Sequence, residues 1–276
     1  RLKEYKPRPY KLPVRKKELK FRIPDHIQLY DFQEEAISNW FSNNGKGLFE
    51  MATGTGKTIT SLAAASKMIN KLSSSVLVIT VPFNHLVEQW EEEARMFGFI
   101  PITKEGTTGV WVSQLRNRVF ELNRGLRKNI CIITTHDTGS SEQFLNLIEK
   151  FKVPIIYIAD ESHYLGSEKL SKLLHPSFDY RIGLSATPDR WFDEVGSEKI
   201  ITYFKKTVIE LSINEAVDKG FLTPYRLYPK LVELTDDEYE EFQRFSRRIV
   251  NVQNDKNLSP SKRKERVQSL LIQRSA

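Results

Sequence analysis

A doubly wound α/β fold, with a mainly parallel sheet between helices, is what this 276-residue sequence predicts, and three observations predict it. Short runs that are apolar almost throughout alternate with segments of helical periodicity. The apolar runs lack an in–out alternation, as expected of strands covered by helices on both sides. Three polar clusters, "TGTGKT", "DESH" and "SATP", follow directly after such runs. Ligands of doubly wound sheets bind at the carboxyl ends of the strands. The clusters therefore fall on one edge of the sheet.

The elements follow in chain order. "PDHIQLYDFQEEAISNWF" sets Ile27, Leu29, Phe32, Ala36, Ile37, Trp40 and Phe41 at helical spacing. Asp31, with Glu34 three residues on, is one candidate cap, and Pro24-Asp25 offers an earlier start. "GLFEM" reads as a strand, "KTITSLAAASKMINKL" as a helix and "SVLVITV" as a strand. "FNHLVEQWEEEARMFG" reads as a helix that ends at Gly98, and "NICIITT", "VPIIYIAD" and "YRIGLSA" as further strands. Beyond about residue 228 the character changes. "LTDDEYEEFQRFSRRIV" places acids first and bases last, matching a helix dipole. "NDKNLSPSKRKERVQSLLIQ" offers Ser259 as an N-cap and Pro260 at the first helical position. The expected organisation is a basic arm or linker over 1–24, an α/β domain over 25–228 and a helical segment over 229–276.

Composition narrows the class. Hydrophobic residues at 39% and charged residues at 28% suit a globular domain. No apolar stretch approaches the ~18 residues of a membrane span, and no signal-peptide core follows the N-terminus. The expected compartment is the cytoplasm, or the nucleus in a eukaryote, with no membrane partner. Cys131, the only cysteine, lies in "NICIITT" and reads as a small core residue. No His, Cys, Asp and Glu cluster has metal-ligand spacing. The net charge of +7 is uneven: residues 1–22 carry ten Lys or Arg against Glu4 and Glu18, and the rest sums to −1. Such an arm can track a phosphate backbone, or it can be a solvated tail or linker.

The chemistry centres on "MATGTGKT" at 51–58. A phosphate-binding loop needs backbone N–H groups that converge on phosphate oxygens, which favours glycine. Gly54 and Gly56 provide it, with Thr53 and Thr55 between and beside them. Lys57 can reach the β and γ phosphates, and the Thr58 hydroxyl can bind Mg²⁺. The helix that begins there directs its positive end at the anion. The strict pattern would place glycine where Met51 stands. About 100 residues on, "IIYIADESH" ends a strand with Asp160 and Glu161. Asp160 can hold Mg²⁺ through waters, and Glu161 can orient and deprotonate an attacking water.

"ATGTGKT", "ADESH" and "GLSATP", in that order and spacing, resemble motifs I, II and III of superfamily 2 helicases and translocases. The resemblance covers about residues 25–230. It implies a RecA-like P-loop NTPase domain that uses ATP and Mg²⁺. The DExH form, "SATPDRWFDE", "INEAVDKGFLTPY" and Trp111 after "GTTG" are similar to the XPB-like and type III restriction subunit-like ATPases that move on duplex DNA. Members carry alanine or another residue at the Met51 position. The resemblance assigns Gln33 to adenine recognition, with Tyr30 standing where arginine is frequent. It assigns His163, Ser185 and Thr187 to the coupling of hydrolysis with nucleic-acid contact. "TVPFNHLVEQW" and "ITTHDT" resemble the backbone-contacting motifs, implying Thr80, Thr134 and Thr135 as nucleic-acid contacts. Phe83 stands where many members have threonine or serine. His85 and His136 read as ordinary loop or helix-cap histidines.

Helicases of this superfamily close a second RecA-like domain, with arginine fingers from a Q-x-x-G-R-x-x-R motif, onto the ATP. That motif does not occur in these 276 residues. The expectation is the first motor domain of a longer protein, with slow turnover on its own and a nuclease or other effector as a partner. The leading reading is an ATP-dependent motor on nucleic acid, chiefly double-stranded DNA, in repair, remodelling or restriction. An RNA-directed DExH helicase and a non-translocating ATP switch are the alternatives.

Overall fold

The structure, a computed structural model, describes residues 21–104, 108–186, 193–224, 226, 228, 233–255, 258 and 260–275. The chain divides into two compact units, one ending at Pro224 and one beginning at Tyr225.

The first unit contains strands β1 (Lys46–Met51), β2 (Ser75–Val81), β3 (Pro101–Ile102), β4 (Asn129–Thr135), β5 (Ile155–Ala159), β6 (Tyr180–Ser185) and β7 (Thr207–Leu211). They form one sheet in the order β3-β4-β2-β5-β6-β1-β7, every pair parallel. Its helices are α1 (Asp31–Ser42), α2 (Lys57–Ile69), α3 (Asn84–Met96), α4 (Thr108–Asn123), α5 (His136–Gly139), α6 (Glu142–Ile148), α7 (Glu194–Phe204) and α8 (Ile213–Asp218). This is the doubly wound, RecA-like arrangement expected. No described helix is long and apolar enough to cross a membrane.

The apolar runs explain the layering. Successive strand residues point to opposite faces. In β2, Leu77, Ile79 and Val81 join Ala63, Trp90 and Ala94 in a core on one side. Val76 and Val78 join Trp111, Leu115 and Phe144 in a core on the other. Each fully buried Val, Leu, Ile or Phe among them contributes about 1.5–3 kcal/mol. A strand with polar residues at alternate positions would leave one helix layer without a partner.

Several details differ from the sequence-based expectation. Helix α1 is capped at Tyr30, not Asp31. The Gln33 side chain, not Glu34, reaches back, its Oε1 accepting from the Tyr30 N–H at 3.0 Å. Strands β3 and β7 have no counterpart among the apolar runs. β3 is two residues long and begins with a proline, which suits a sheet edge. "TVIEL" in β7 carries Glu210 and reads only weakly as a strand. Helix α3 ends at Met96, and Gly98 adopts the left-handed φ of +86° that closes it.

The second unit contains α9 (Asp236–Asn254) and α10 (Pro260–Ser275). Thr235 caps α9 reciprocally with Glu238: Thr235 Oγ1 accepts from the Glu238 N–H, and Glu238 Oε2 accepts from the Thr235 N–H at 2.8 Å. The two helices pack on each other, burying Ile249 and Leu270. The expected cap Ser259 and the arm over 1–20 lie outside the described residues.

Candidate functional site

The loop after β1 is built on two left-handed glycines, Gly54 at φ +87° and Gly56 at φ +83°. Space reinforces the choice at Gly56, where a Cβ would lie 2.5 Å from Gln33 Nε2. Thr55 is buried and its hydroxyl donates to the Ala52 carbonyl at 2.7 Å, tightening the turn. Thr53 is exposed at the loop tip. The first intrahelical bond of α2 runs from Thr60 N–H to the Gly56 carbonyl at 2.9 Å. The N–H groups of Lys57, Thr58 and Ile59 therefore have no acceptor within the helix. This is the donor set that an anion at a helix start requires. Lys57 Nζ donates to the Met51 carbonyl at 2.9 Å, leaving two of its three protons for other acceptors.

Gln33 lies beneath this loop, 4% exposed. Its Oε1 accepts from Tyr30, and its Nε2 donates to the Thr55 carbonyl at 3.1 Å. One amide N–H and one lone pair remain. Gln33 therefore ties the start of α1 to the phosphate-binding loop.

The acid pair sits at the tip of β5, separated from β1 by β6. Asp160 accepts from the Glu161 N–H at Oδ1 and from the Trp90 indole N–H at Oδ2, both at 3.0 Å. Glu161 is held at a left-handed φ of +44°, a conformation rare outside glycine. His163 Nδ1 lies 3.3 Å from both Glu161 Oε2 and Ser185 Oγ. It thus bridges the acid pair and the end of β6, where motif III begins. Thr187, assigned to the same coupling, lies outside the described residues.

Burial dominates the electrostatics of this site. Burial raises the Asp160 carboxyl, with the Trp90 and Glu161 hydrogen bonds and Lys57 opposing. Burial raises Glu161, and Asp160 adds to it. Burial lowers Lys57, although both acids oppose that shift. In each case desolvation exceeds the attraction between lysine and acids. The acids call for a cation and the lysine for an anion. Mg²⁺ with a phosphate chain would meet both demands, with Thr58, in the first turn of α2, and Asp160, at the tip of β5, as the residues that could hold the metal.

Two of the three hydroxyls expected to meet nucleic acid lie in the core. Thr80 is fully buried and Thr134 is 2% exposed, which corrects their assignment as backbone contacts. In a parallel strand covered on both faces, hydroxyls within the strand turn into a core. Thr80 Oγ1 lies 2.8 Å from Tyr157 Oη and 2.9 Å from His136 Nδ1. Thr135, half-buried, caps α5 by accepting from the Thr138 N–H at 3.3 Å.

His136 departs most from its expected role. It is 2% exposed, and its Nε2 lies 2.9 Å from the Asp160 carbonyl. A carbonyl only accepts, so Nε2 carries the proton and Nδ1 accepts from Thr80. Thr80 then accepts from Tyr157. The result is one directed chain, Tyr157 to Thr80 to His136 to the Asp160 main chain. Neither Trp90 nor Tyr157 stands out in the sequence. Trp90 falls on the apolar stripe of α3, and Tyr157 lies inside an apolar run. The signal at His136 is its place directly after a strand, on the edge that carries the motifs.

Residues 26–190 match the family described as "Type III restriction enzyme, res subunit". The DNA 3'-5' translocase XPB2 of Sulfurisphaera tokodaii is 27% identical over 238 residues, 86% of this chain and 47% of that protein. The type I restriction enzyme EcoAI endonuclease subunit of Escherichia coli is 26% identical over 214 residues, 75% of this chain and 24% of that protein. This chain thus spans less than half the length of these relatives. A nuclease-deletion mutant of the type ISP restriction-modification enzyme LlaGI, in complex with a DNA substrate mimic, shares the fold. Its TM-score is 0.56 at 17% identity, over 83% of this chain and 23% of that one. The Pyrococcus furiosus Hef helicase domain shares it at a TM-score of 0.51 and 17% identity, over 79% and 46%. With more than half its length matched and its motifs gathered on the edge of a RecA-like sheet, the chain belongs to the family of the type III restriction enzyme res subunit.

Proposed function

We propose that this chain is the ATP-binding half of a motor that moves on double-stranded DNA and hydrolyses ATP to do so. One observation carries the reading: the parallel order β5-β6-β1 brings Lys57, after β1, and the acids Asp160 and Glu161, at the tip of β5 and about 100 residues on in the chain, to one edge of the sheet. Lys57 and the α2 N–H groups bind the phosphates. Gln33 offers its remaining N–H and lone pair to the adenine edge. Glu161 orients a water and takes its proton as the γ-phosphoryl group passes to it, leaving ADP and phosphate. Mg²⁺, when bound, offsets the negative charge of the β and γ phosphates. His163 and Ser185 relay the state of the acid pair to the strand end that carries motif III.

The preference for DNA draws support from the relatives, one named a DNA translocase and another a type I restriction enzyme endonuclease subunit. A second RecA-like domain in the parent protein completes the site, and a nuclease or other effector uses the movement. The test is ATP hydrolysis by the parent polypeptide with duplex DNA, single-stranded DNA or RNA, with Lys57→Ala as the blank. Stimulation by duplex DNA alone is the expected result. Stimulation by RNA alone would overturn the choice of DNA. Lys57-dependent turnover that no nucleic acid stimulates would replace the motor by an ATP switch.

A further inference from the structure

Asp160 is held at every polar atom. Its main-chain N–H donates to the Thr80 carbonyl at 2.9 Å, and its carbonyl accepts from His136 at 2.9 Å. The backbone on both sides of the residue is therefore anchored. What remains free is the rotation of the carboxylate, and here Trp90 enters. Its indole is 2% exposed, packed in the core between α3 and the sheet. An indole N–H can only donate, and leaving one buried without an acceptor costs about 1–3 kcal/mol. Its acceptor is Asp160 Oδ2 at 3.0 Å. The ring cannot turn without disturbing its core neighbours, so the direction of the N–H is fixed by α3. An ionised carboxylate offers about four acceptor positions. Trp90 and the Glu161 N–H take one on each oxygen, leaving one on each.

We propose that Trp90 is a positioning residue for the metal-binding face of Asp160. The indole sets the rotation of the carboxylate, whose two remaining lone pairs would be the ones available to the nucleotide's Mg²⁺. The inference rests on the nucleotide-site reading above. It assigns a role to a tryptophan that touches neither nucleotide nor metal, on a helix outside the phosphate-binding loop and the acid pair.

The test uses the 276-residue chain labelled with ¹⁵N at tryptophan indoles, titrated with ADP alone and then with Mg²⁺. The Trp90 resonance is identified by its absence in Trp90→Phe, or by elimination with Trp40, Trp111 and Trp191 replaced singly. The expected result is a Trp90 indole signal that moves when Mg²⁺ joins bound ADP and stays still in Asp160→Asn. Trp90→Phe, or β-benzothienylalanine at position 90, which keeps the ring shape without the N–H, is expected to raise the Mg²⁺ concentration for half-maximal effect about tenfold. Affinity for ADP without metal stays unchanged, which separates positioning from a general loss of structure. A Trp90 signal indifferent to Mg²⁺ while ADP is demonstrably bound would overturn the proposal and leave the nucleotide site standing. An unchanged Mg²⁺ requirement in the benzothienyl protein would do the same. Failure of ADP to bind the unmodified chain would remove the nucleotide-site reading, and this inference with it.

Discussion

Two residues at the acid pair make opposite predictions about pH. Burial, then Asp160, raises the Glu161 carboxyl. The unfolded chain loses that proton first as pH rises, so ionisation in the fold opposes stability above the raised value. The penalty fades as pH falls toward the ordinary carboxylate range. Glu161→Gln removes it. The nucleotide-free variant is expected to melt higher at neutral pH, by about 2–4 °C for each kcal/mol relieved. Its turnover should fall by about 10²–10⁴, as for the loss of a general base. A lower melting temperature would show that Glu161 is stabilising where it stands. His136 runs the other way. Burial holds its imidazole at about 4. The unfolded residue titrates near 6.5, so the stability present above that value is lost as pH falls toward 4. The gap is worth on the order of 3 kcal/mol. Urea midpoints measured from pH 7 to pH 4 should show this slope, and His136→Gln should flatten it.

At the scale of the element, the phosphate-binding loop is a bend that only glycine tolerates, set against the start of α1. Gly56 carries both constraints, a φ of +83° and Gln33 Nε2 at 2.5 Å from a Cβ. Gly56→Ala is expected to cost about 1–2 kcal/mol for the left-handed backbone alone. It must also displace the amide that holds the Thr55 carbonyl. The expected outcome is at least tenfold weaker ADP binding together with a lower melting temperature. An alanine variant that binds ADP normally would show that the loop does not depend on this contact. The same element illustrates what was legible. Gly54, Gly56, Lys57 and Thr58 were readable because their roles depend on neighbours within one turn. The grip of Gln33 on Thr55 was not, because it joins residues 22 positions apart.

At the scale of the whole molecule, the sheet gathers the ends of β1, β5 and β6 on one edge. On the function proposed above, that edge is half of a site that a second domain closes. An arginine finger from a second domain is worth about 10³–10⁵ in rate. The 276 residues contain no Q-x-x-G-R-x-x-R motif. We therefore expect this chain by itself to bind ATP and to hydrolyse it slowly, with little response to DNA. Steady-state phosphate release with and without duplex DNA checks this. Fast, DNA-stimulated turnover by these residues alone would mean that the site completes itself another way.

The sequence by itself determined the layered parallel sheet and the position of its active edge. Continuous apolar runs must be covered on both faces, and a glycine-lysine turn before a helix must present N–H groups. Both are properties of adjacent residues. Only the tertiary structure decided that Thr80 and Thr134 face inward, that His136 grips the Asp160 backbone and that Trp90 holds its carboxylate. Those contacts join residues 56, 24 and 70 positions apart. They exist because β2 lies between β4 and β5, an order that interchangeable apolar strands do not specify, and because a strand side chain finds its partner across the sheet rather than along the chain.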